Sequence, residues 1–190
     1  SLSSDIGRVG LLERENATIM NACLRDLSDS TITAFKEALS EAGLSAAFYL
    51  TQNDGTLMSE ALARRFPVLT FASGSTNSMR GAAFLSGLKD AVVIDIGGTT
   101  TDVGALQKGF PRQAGVAVEI GGVRTNFRMP DVFSIGLGGG SHVLGTASDI
   151  QVGPQSVGYR LTEDALIFGG STLTASDIAI AAGMADFGDA

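Results

Sequence analysis

The sequence predicts a mixed α/β fold from three observations. Helix and strand patterns alternate through residues 1–90, a run of short strands follows from Ala91, and glycines cluster between those strands. In chain order, Asn16 is placed to cap a helix reaching Leu27. Ser30 is placed to cap a second, in which Ile32, Phe35, Leu39 and Ala42 share a face and Gly43 ends it. "AAFYLTQ" (Ala46 to Gln52) reads as a buried strand, "NDGTLM" as a turn away from it, and "SEALARRF" as a short helix capped by Ser59 and stopped by Pro67. "VLTFAS" reads as a strand and "STNSMRGAAFLSGL" (Ser75 to Leu88) as a closely packed helix of small residues. Val92 to Ile96, Thr101 to Gln107 and "QAGVAVEIG" then form a β-meander with "KGFP" as one of its turns. "DVFSIGLGGGS" is a strand entering a glycine loop, "SDIQVGPQSVG" reads as a hairpin, and a last helix starts at Thr174 or Ser176.

Composition narrows the classes. Of 190 residues, 44% are hydrophobic and 17% charged, which supports a packed core. The net charge of −7 opposes binding to a nucleic-acid backbone, although backbone amides and a metal can still hold a nucleotide. Cys23 is the only cysteine, so an intramolecular disulfide and a multi-cysteine zinc site are excluded. It reads as a small helix residue in a reducing compartment. His142 is the only histidine, which removes histidine-based metal clusters. No apolar run reaches membrane-span length and no signal peptide opens the chain, so the expected setting is the cytoplasm. The 25 glycines gather at Gly97-Gly98, Gly121-Gly122, Gly136 to Gly140 and Gly169-Gly170, as turns or ligand-approach loops.

The stretch "VVIDIGGTTTDVGAL" carries the chemistry. It has neither the lysine of a phosphate-binding P-loop nor a dinucleotide fingerprint. A strand turns directly into another strand. Gly97 and Gly98 let backbone amides approach a phosphate, and Thr99, Thr100 and Thr101 offer hydroxyls, with alternation sending Thr99 and Thr101 one way and Thr100 the other. Asp95 at the strand end is placed to hold Mg²⁺ through water, and Asp102 to orient a hydroxyl or a second water. "GLGGGS", including Gly138, Gly139, Gly140 and Ser141, is either a loop that approaches phosphate or substrate or a tight packing loop. From the residues alone Ser73-Gly74 reads as a helix N-cap and "QNDG" as a plain turn. Alternation would put Arg124, Asn126 and Arg128 on one strand face, either exposed or turned toward an anionic or amide substrate.

"DIGGTTTD" resembles the second phosphate-binding hairpin of the actin, sugar-kinase and heat-shock-chaperone ATPase superfamily. Together with "FASGSTNSMRGAAFLSGL", "EIGGVRTNFRMPDVFSIGLGGGS" and "VGPQSVG", it makes the chain similar to the hydantoinase/oxoprolinase family, A-type subunit, from about Leu12 to Gly183. The resemblance implies a duplicated ribonuclease H-like fold with ATP and Mg²⁺ between two lobes, and an enzyme that opens cyclic amides such as hydantoin or 5-oxoproline by phosphoryl activation. Relatives in ketone carboxylation and a B-type partner subunit belong to the same picture, in which Ser73-Gly74 would be a connector near the nucleotide and "QNDG" would leave its strand near the cleft; a homo-oligomer is expected separately, from the apolar face that a lobe outside the segment would leave uncovered. A kinase-like phosphotransferase and a chaperone-like regulatory ATPase are the rival readings on that fold.

In family terms the chain is a central segment. Residues 1–74 would end the first lobe, 75–88 would form a connecting helix, and 89–190 would start the second lobe. An earlier phosphate hairpin and a later adenosine loop would lie outside it, so the segment alone is expected to bind nucleotide weakly. Where many relatives follow "VGPQSVG" with Pro-Gly-Pro-Ala-Cys-Tyr-Gly, this chain reads "YRLTEDALIFGG". A hydantoinase substrate therefore does not carry over with the motif.

Overall fold

The computed structural model describes residues 2–7, 9–115, 118–146 and 148–186. The chain divides into two compact units, Ser1–Ala91 with Gly104–Val132, and Val92–Val103 with Phe133–Ala190. Both contain helices and strands, as the mixed α/β reading expects. Among the described residues no helix is long and apolar enough to cross a membrane.

In the first unit a short helix α1 (Ser3–Ile6) precedes a 30-residue helix α2 (Leu12–Glu41). The two helices predicted here are one. Neither glycine nor proline occurs between Leu12 and Glu41, and both supposed caps lie inside the one helix. Asn16 Nδ2 donates to the Arg124 carbonyl, and Ser30 Oγ donates back to the Leu27 carbonyl. The helix ends as expected at Gly43, in the left-handed region at φ +71°.

Strands β1 (Tyr49–Thr51) and β2 (Leu57–Ser59) then pair antiparallel. β1 is shorter than the predicted strand and only half-buried. Asp54 Oδ1 fixes the turn by accepting from the amide and hydroxyl of Thr56, at 3.0 and 2.6 Å. Ser59 caps α3 (Glu60–Arg65), as predicted.

"VLTFAS" is not a strand. Pro67–Thr70 is a 3₁₀ turn with proline in its first turn, where its missing N–H costs nothing. The amide of Val68 is taken instead by Asn21 Oδ1 of α2. Helix α4 (Ser73–Ser86) starts two residues before the predicted position. Ala72, left-handed at φ +55°, occupies the N-cap, so Ser73 lies inside the helix and does not cap it.

The core of this unit is two clusters bridged by Leu69. Ala17, Val68 and Phe127 form one; Ile32, Met58 and Ala63 form the other. β6 (Val118–Ile120) and β7 (Val123–Thr125) make a hairpin around Gly121-Gly122, both at positive φ. "QAGVAVEIG" is thus a strand at Val118–Ile120; Val116 and Ala117 lie outside the described residues. β5 (Phe110–Pro111) pairs with the end of β4, whose range is Thr101–Gln107.

The second unit holds most of β3 (Ala91–Ile96), the start of β4, and β8 (Val132–Ile135), which pairs with β4. β9 (Ser141–Thr146) and β10 (Asp149–Ser156) form an antiparallel hairpin in register from Asp149↔Thr146 to Val152↔Val143. "SDIQVGPQSVG" is therefore the second strand of a hairpin and not a whole one. After a short helix α5 (Leu161–Asp164) the described part of the chain closes on α6 (Ala175–Ala181). Of the two predicted starts for α6, Thr174 is the cap: its hydroxyl accepts from the Asp177 amide while the Asp177 carboxylate accepts from the Thr174 amide.

Candidate functional site

β-Branched Val92, Val93, Ile94 and Ile96 favour β3, and Gly97-Gly98 end it. The Gly97 amide donates to the Thr100 carbonyl at 2.9 Å and closes the hairpin. Continuing that register outward sets Ile96 across from Thr101 and Asp95 across from Asp102. The two half-buried carboxylates therefore share one face, and Val92, Ile94 and Ile96 are exposed on the other. Ser134 of β8 lies on the carboxylate face, where its hydroxyl donates to Asp102 Oδ1 at 2.5 Å.

Sequence reasoning passed over Ser134. Its signal was present in "VFSI", where one polar residue alternates with Phe133 and Ile135.

The tip of the hairpin differs from the predicted alternation. Thr99 and Thr100 both lie exposed in the turn. Thr101 is buried and its hydroxyl donates to the Leu137 carbonyl at 2.6 Å. That commits Thr101 to the protein and removes it from the hydroxyls open to a ligand. Among the described residues no hydrogen bond takes the amides of Gly98, Thr99 and Thr100. Three successive N–H groups without a partner at a glycine turn are donors that an anion could take.

The structure brings the second glycine cluster directly against this hairpin. Gly139 donates to the Gly97 carbonyl at 3.0 Å and Gly140 to the Gly98 carbonyl at 2.7 Å. Gly138 donates to Ser141 Oγ at 2.9 Å. The carbonyls of Gly139 and Gly140 accept from Ser176 and Val157. The amides of Gly138, Gly139 and Gly140 are thus occupied and Ser141 is fully buried, so "GLGGGS" packs against the hairpin. Glycine is required there for approach. A Cβ on Gly138 would stand 2.6 Å from the Gly97 carbonyl oxygen and 2.7 Å from the Thr99 nitrogen.

The remaining sequence candidates fall elsewhere. His142 is half-buried on β9 and bridges to Thr174. Arg124, Asn126 and Arg128 do not share a strand face, because β7 ends at Thr125. Arg124 faces Glu13 at 3.8 Å, while Asn126 is buried and donates to the Val9 carbonyl. Arg128 stands 3.7 Å from Asp54 of "QNDG", beside a cavity of about 240 Å³ also lined by Gln52 and Phe127.

For a metal, two carboxylates are on offer. Among the described residues no group of three His, Cys, Asp or Glu side chains converges on one point. Such a pair suits a hard cation that keeps water and phosphate oxygens as its other ligands, as Mg²⁺ does.

A sequence model of hydantoinase/oxoprolinase matches residues 14–186, nearly the whole chain. The chain belongs to the hydantoinase/oxoprolinase family. Among curated proteins, the acetophenone carboxylase gamma subunit of Aromatoleum aromaticum is 27% identical over 185 residues, covering 95% of this chain and 25% of that protein. Among solved structures, the ATP-dependent caprolactamase of Pseudomonas jessenii superposes with a TM-score of 0.70 at 23% identity, over 98% of this chain and 28% of that one. Nucleotide-free acetone carboxylase, an ATP-dependent enzyme, gives 0.65 at 24% identity, over 97% and 26%. These two likenesses establish a shared fold. This hydantoinase/oxoprolinase chain spans about a quarter of the length of each relative.

Proposed function

We propose that this chain supplies one phosphate-gripping hairpin of an ATP-dependent enzyme that opens cyclic amides, of the hydantoin or 5-oxoproline type, by phosphoryl activation. The observation that carries the reading is the run of unengaged amides at Gly98, Thr99 and Thr100, on the strand pair that bears Asp95 and Asp102. Gly97 and Gly98 give the close approach, and Thr99 and Thr100 add hydroxyl donors. Asp95 and Asp102 are the residues that would hold Mg²⁺, whose contribution is to neutralise charge on the phosphate oxygens. Gly138, Gly139, Gly140 and Ser141 act one step back, by fixing the hairpin.

Transfer of the ATP γ-phosphoryl to the amide oxygen would release ADP and make the carbon electrophilic; water would add there, the ring C–N bond would break with the nitrogen leaving as the amine, and a second water would release the phosphate from the acyl phosphate. A ketone oxygen offers the same handle, and the likeness to the acetophenone carboxylase gamma subunit favours carboxylation as the second reading. In this reading the fold is ribonuclease H-like. Residues 1–74 end one lobe, 75–88 connect, and 89–190 begin the next, in a cytoplasmic protein that works with a B-type subunit.

The test uses the intact protein. ADP release is measured with cyclic amides, ketones plus bicarbonate, and polyols in parallel. Release driven by cyclic amides and lost in Asp95→Ala, with unchanged circular dichroism, is the expected result. Undiminished turnover in that variant refutes the assignment of the hairpin, and release driven by polyols alone refutes the substrate class.

A further inference from the structure

Asn53 is 2% exposed and is tied into the first unit from three directions. Its amide donates to the Leu69 carbonyl at 2.8 Å, and its carbonyl accepts from the Thr76 hydroxyl at 3.3 Å. Its Nδ2 donates to the Arg128 carbonyl and lies 3.8 Å from Met129 Sδ. Both neighbours of Nδ2 are acceptors, which fixes the orientation of the side-chain amide. Among the described residues no hydrogen bond reaches the other end, Oδ1. A buried acceptor is costly in that state unless something donates to it.

Asn53 lines the cavity of about 240 Å³ beside Arg128. At about 30 Å³ for each water in the liquid, the space matches about eight waters, or a small ring with some solvent. Ile6, Leu69 and Phe127 give it an apolar wall, and Asp54 and Arg128 give it one charge of each sign. Asp54 Oδ1 is taken by the amide and hydroxyl of Thr56. Its Oδ2 stands 3.7 Å from Arg128 Nη1, beyond a hydrogen bond, so the guanidinium keeps donors to offer.

These groups define what fits. Asn53 Oδ1 needs a donor, Arg128 an acceptor, and the wall an apolar body. An anion would stand beside Asp54 and a cation beside Arg128, so the ligand is neutral. The neutral group that carries a donor and an acceptor side by side is an amide. The Asn53 side chain is bonded to the Arg128 backbone, so both are needed on one edge of the ligand. An open-chain secondary amide is trans and holds N–H and C=O on opposite edges, whereas a small lactam ring holds them on the same edge. The structure assigns this cavity as a binding site for a small neutral lactam, whose N–H donates to Asn53 Oδ1 and whose C=O accepts from Arg128. The assignment concerns binding within the first unit. It does not rest on the phosphate chemistry of the hairpin, so either can fail without the other.

Titration of the nitrogen-15-labelled 190-residue chain, followed by its amide resonances, is the test. 2-Pyrrolidinone should shift the Asn53 side-chain amide and the backbone amides of Asp54, Phe127 and Arg128 saturably. N-Methyl-2-pyrrolidinone, with the same ring and carbonyl but no N–H, should bind about tenfold more weakly. 5-Oxoproline, an anion at neutral pH, should also bind more weakly than 2-pyrrolidinone. Arg128→Met, at a largely exposed side chain, should keep the folded spectrum and weaken 2-pyrrolidinone about tenfold. The absence of a saturable shift overturns the assignment. So do equal affinity for the N-methyl compound, tighter binding of 5-oxoproline, and unchanged affinity in Arg128→Met. Shifts confined to the larger cavity lined by Leu24, Phe48 and Pro67 overturn it too.

Discussion

The amide of Gly140 donates to the carbonyl of Gly98 across 2.7 Å, and Gly139 makes the same contact with Gly97 at 3.0 Å. A turn of four small residues would otherwise be free to take many shapes, since glycine loses more conformational freedom on folding than any other residue. Here a distant loop fixes its backbone. The amides left over at Gly98, Thr99 and Thr100 are therefore held in place before any ligand arrives, the condition for electrostatic stabilisation without reorganisation.

Gly138→Ala should break this arrangement. The new Cβ would meet backbone atoms of Gly97, Gly98 and Thr99 at 2.6–2.7 Å, and backbone cannot rotate away as a side chain does. We expect a loss of about 1–3 kcal/mol in urea unfolding. Gly74→Ala is the control: nothing lies within 4 Å of its Cβ position in α4, and the change should be neutral or stabilising by up to about 1 kcal/mol.

Ser134→Ala removes the hydroxyl that orients Asp102. Ser134 is exposed, so stability should stay within about 0.5 kcal/mol of wild type. ADP release by the intact protein should fall about tenfold in kcat, and Ser134→Thr, which keeps the hydroxyl, should recover it. An unchanged kcat in the alanine variant would separate Ser134 from the chemistry.

The Asp177 carboxyl sits below the ordinary aspartate range. Burial works to raise it, but the Thr174 hydroxyl and the amides of Ile167, Thr174 and Leu166 outweigh burial by donating to the charged form. A depressed folded-state pKa adds stability above the unfolded value, near 3.9, and loses it as pH falls through the folded value. Melting temperatures of wild type and Asp177→Asn should accordingly differ at neutral pH and converge as pH drops below about 4. A gap that holds constant to low pH would mean that the carboxylate charge is not what stabilises the cap.

Asn21 is fully buried in α2, where Nδ2 donates to the Arg65 carbonyl and Oδ1 accepts from the Val68 amide. Asn21→Leu keeps the volume and strands both backbone groups, for a loss of about 2–4 kcal/mol. Hydrogen exchange should accelerate at the Val68 amide, and protection there equal to wild type would contradict the role given to Asn21.

What the sequence disclosed depended on how local the deciding interaction was. The Ser59 and Thr174 caps, the stops at Gly43 and Pro67, and the Gly97-Gly98 turn were legible because a residue and its close neighbours decide each one. Asn16 and Ser30 misled because the same side chains that cap a helix can also bond a carbonyl inside or beside one. The 3₁₀ turn after Pro67 depends on Asn21, far back in the chain, and no pattern in "VLTFAS" contains it. The site was half legible for the same reason. "DIGGTTTD" announced a strand, a turn and two acids. Whether the amides of "GLGGGS" faced a phosphate or the hairpin was a question of tertiary pairing, and glycine suits both.

β3 pairs with β4 alone among the described strands, and its outer face carries Val92, Ile94 and Ile96 in the open. An edge of this kind, branched and without a charge on that face, is a template for further strands to add to. In a concentrated or heated sample of this chain, Ala91 to Ile96 is where fibril growth would begin. A lysine at position 94 would act as a gatekeeper there and keep the protein in solution.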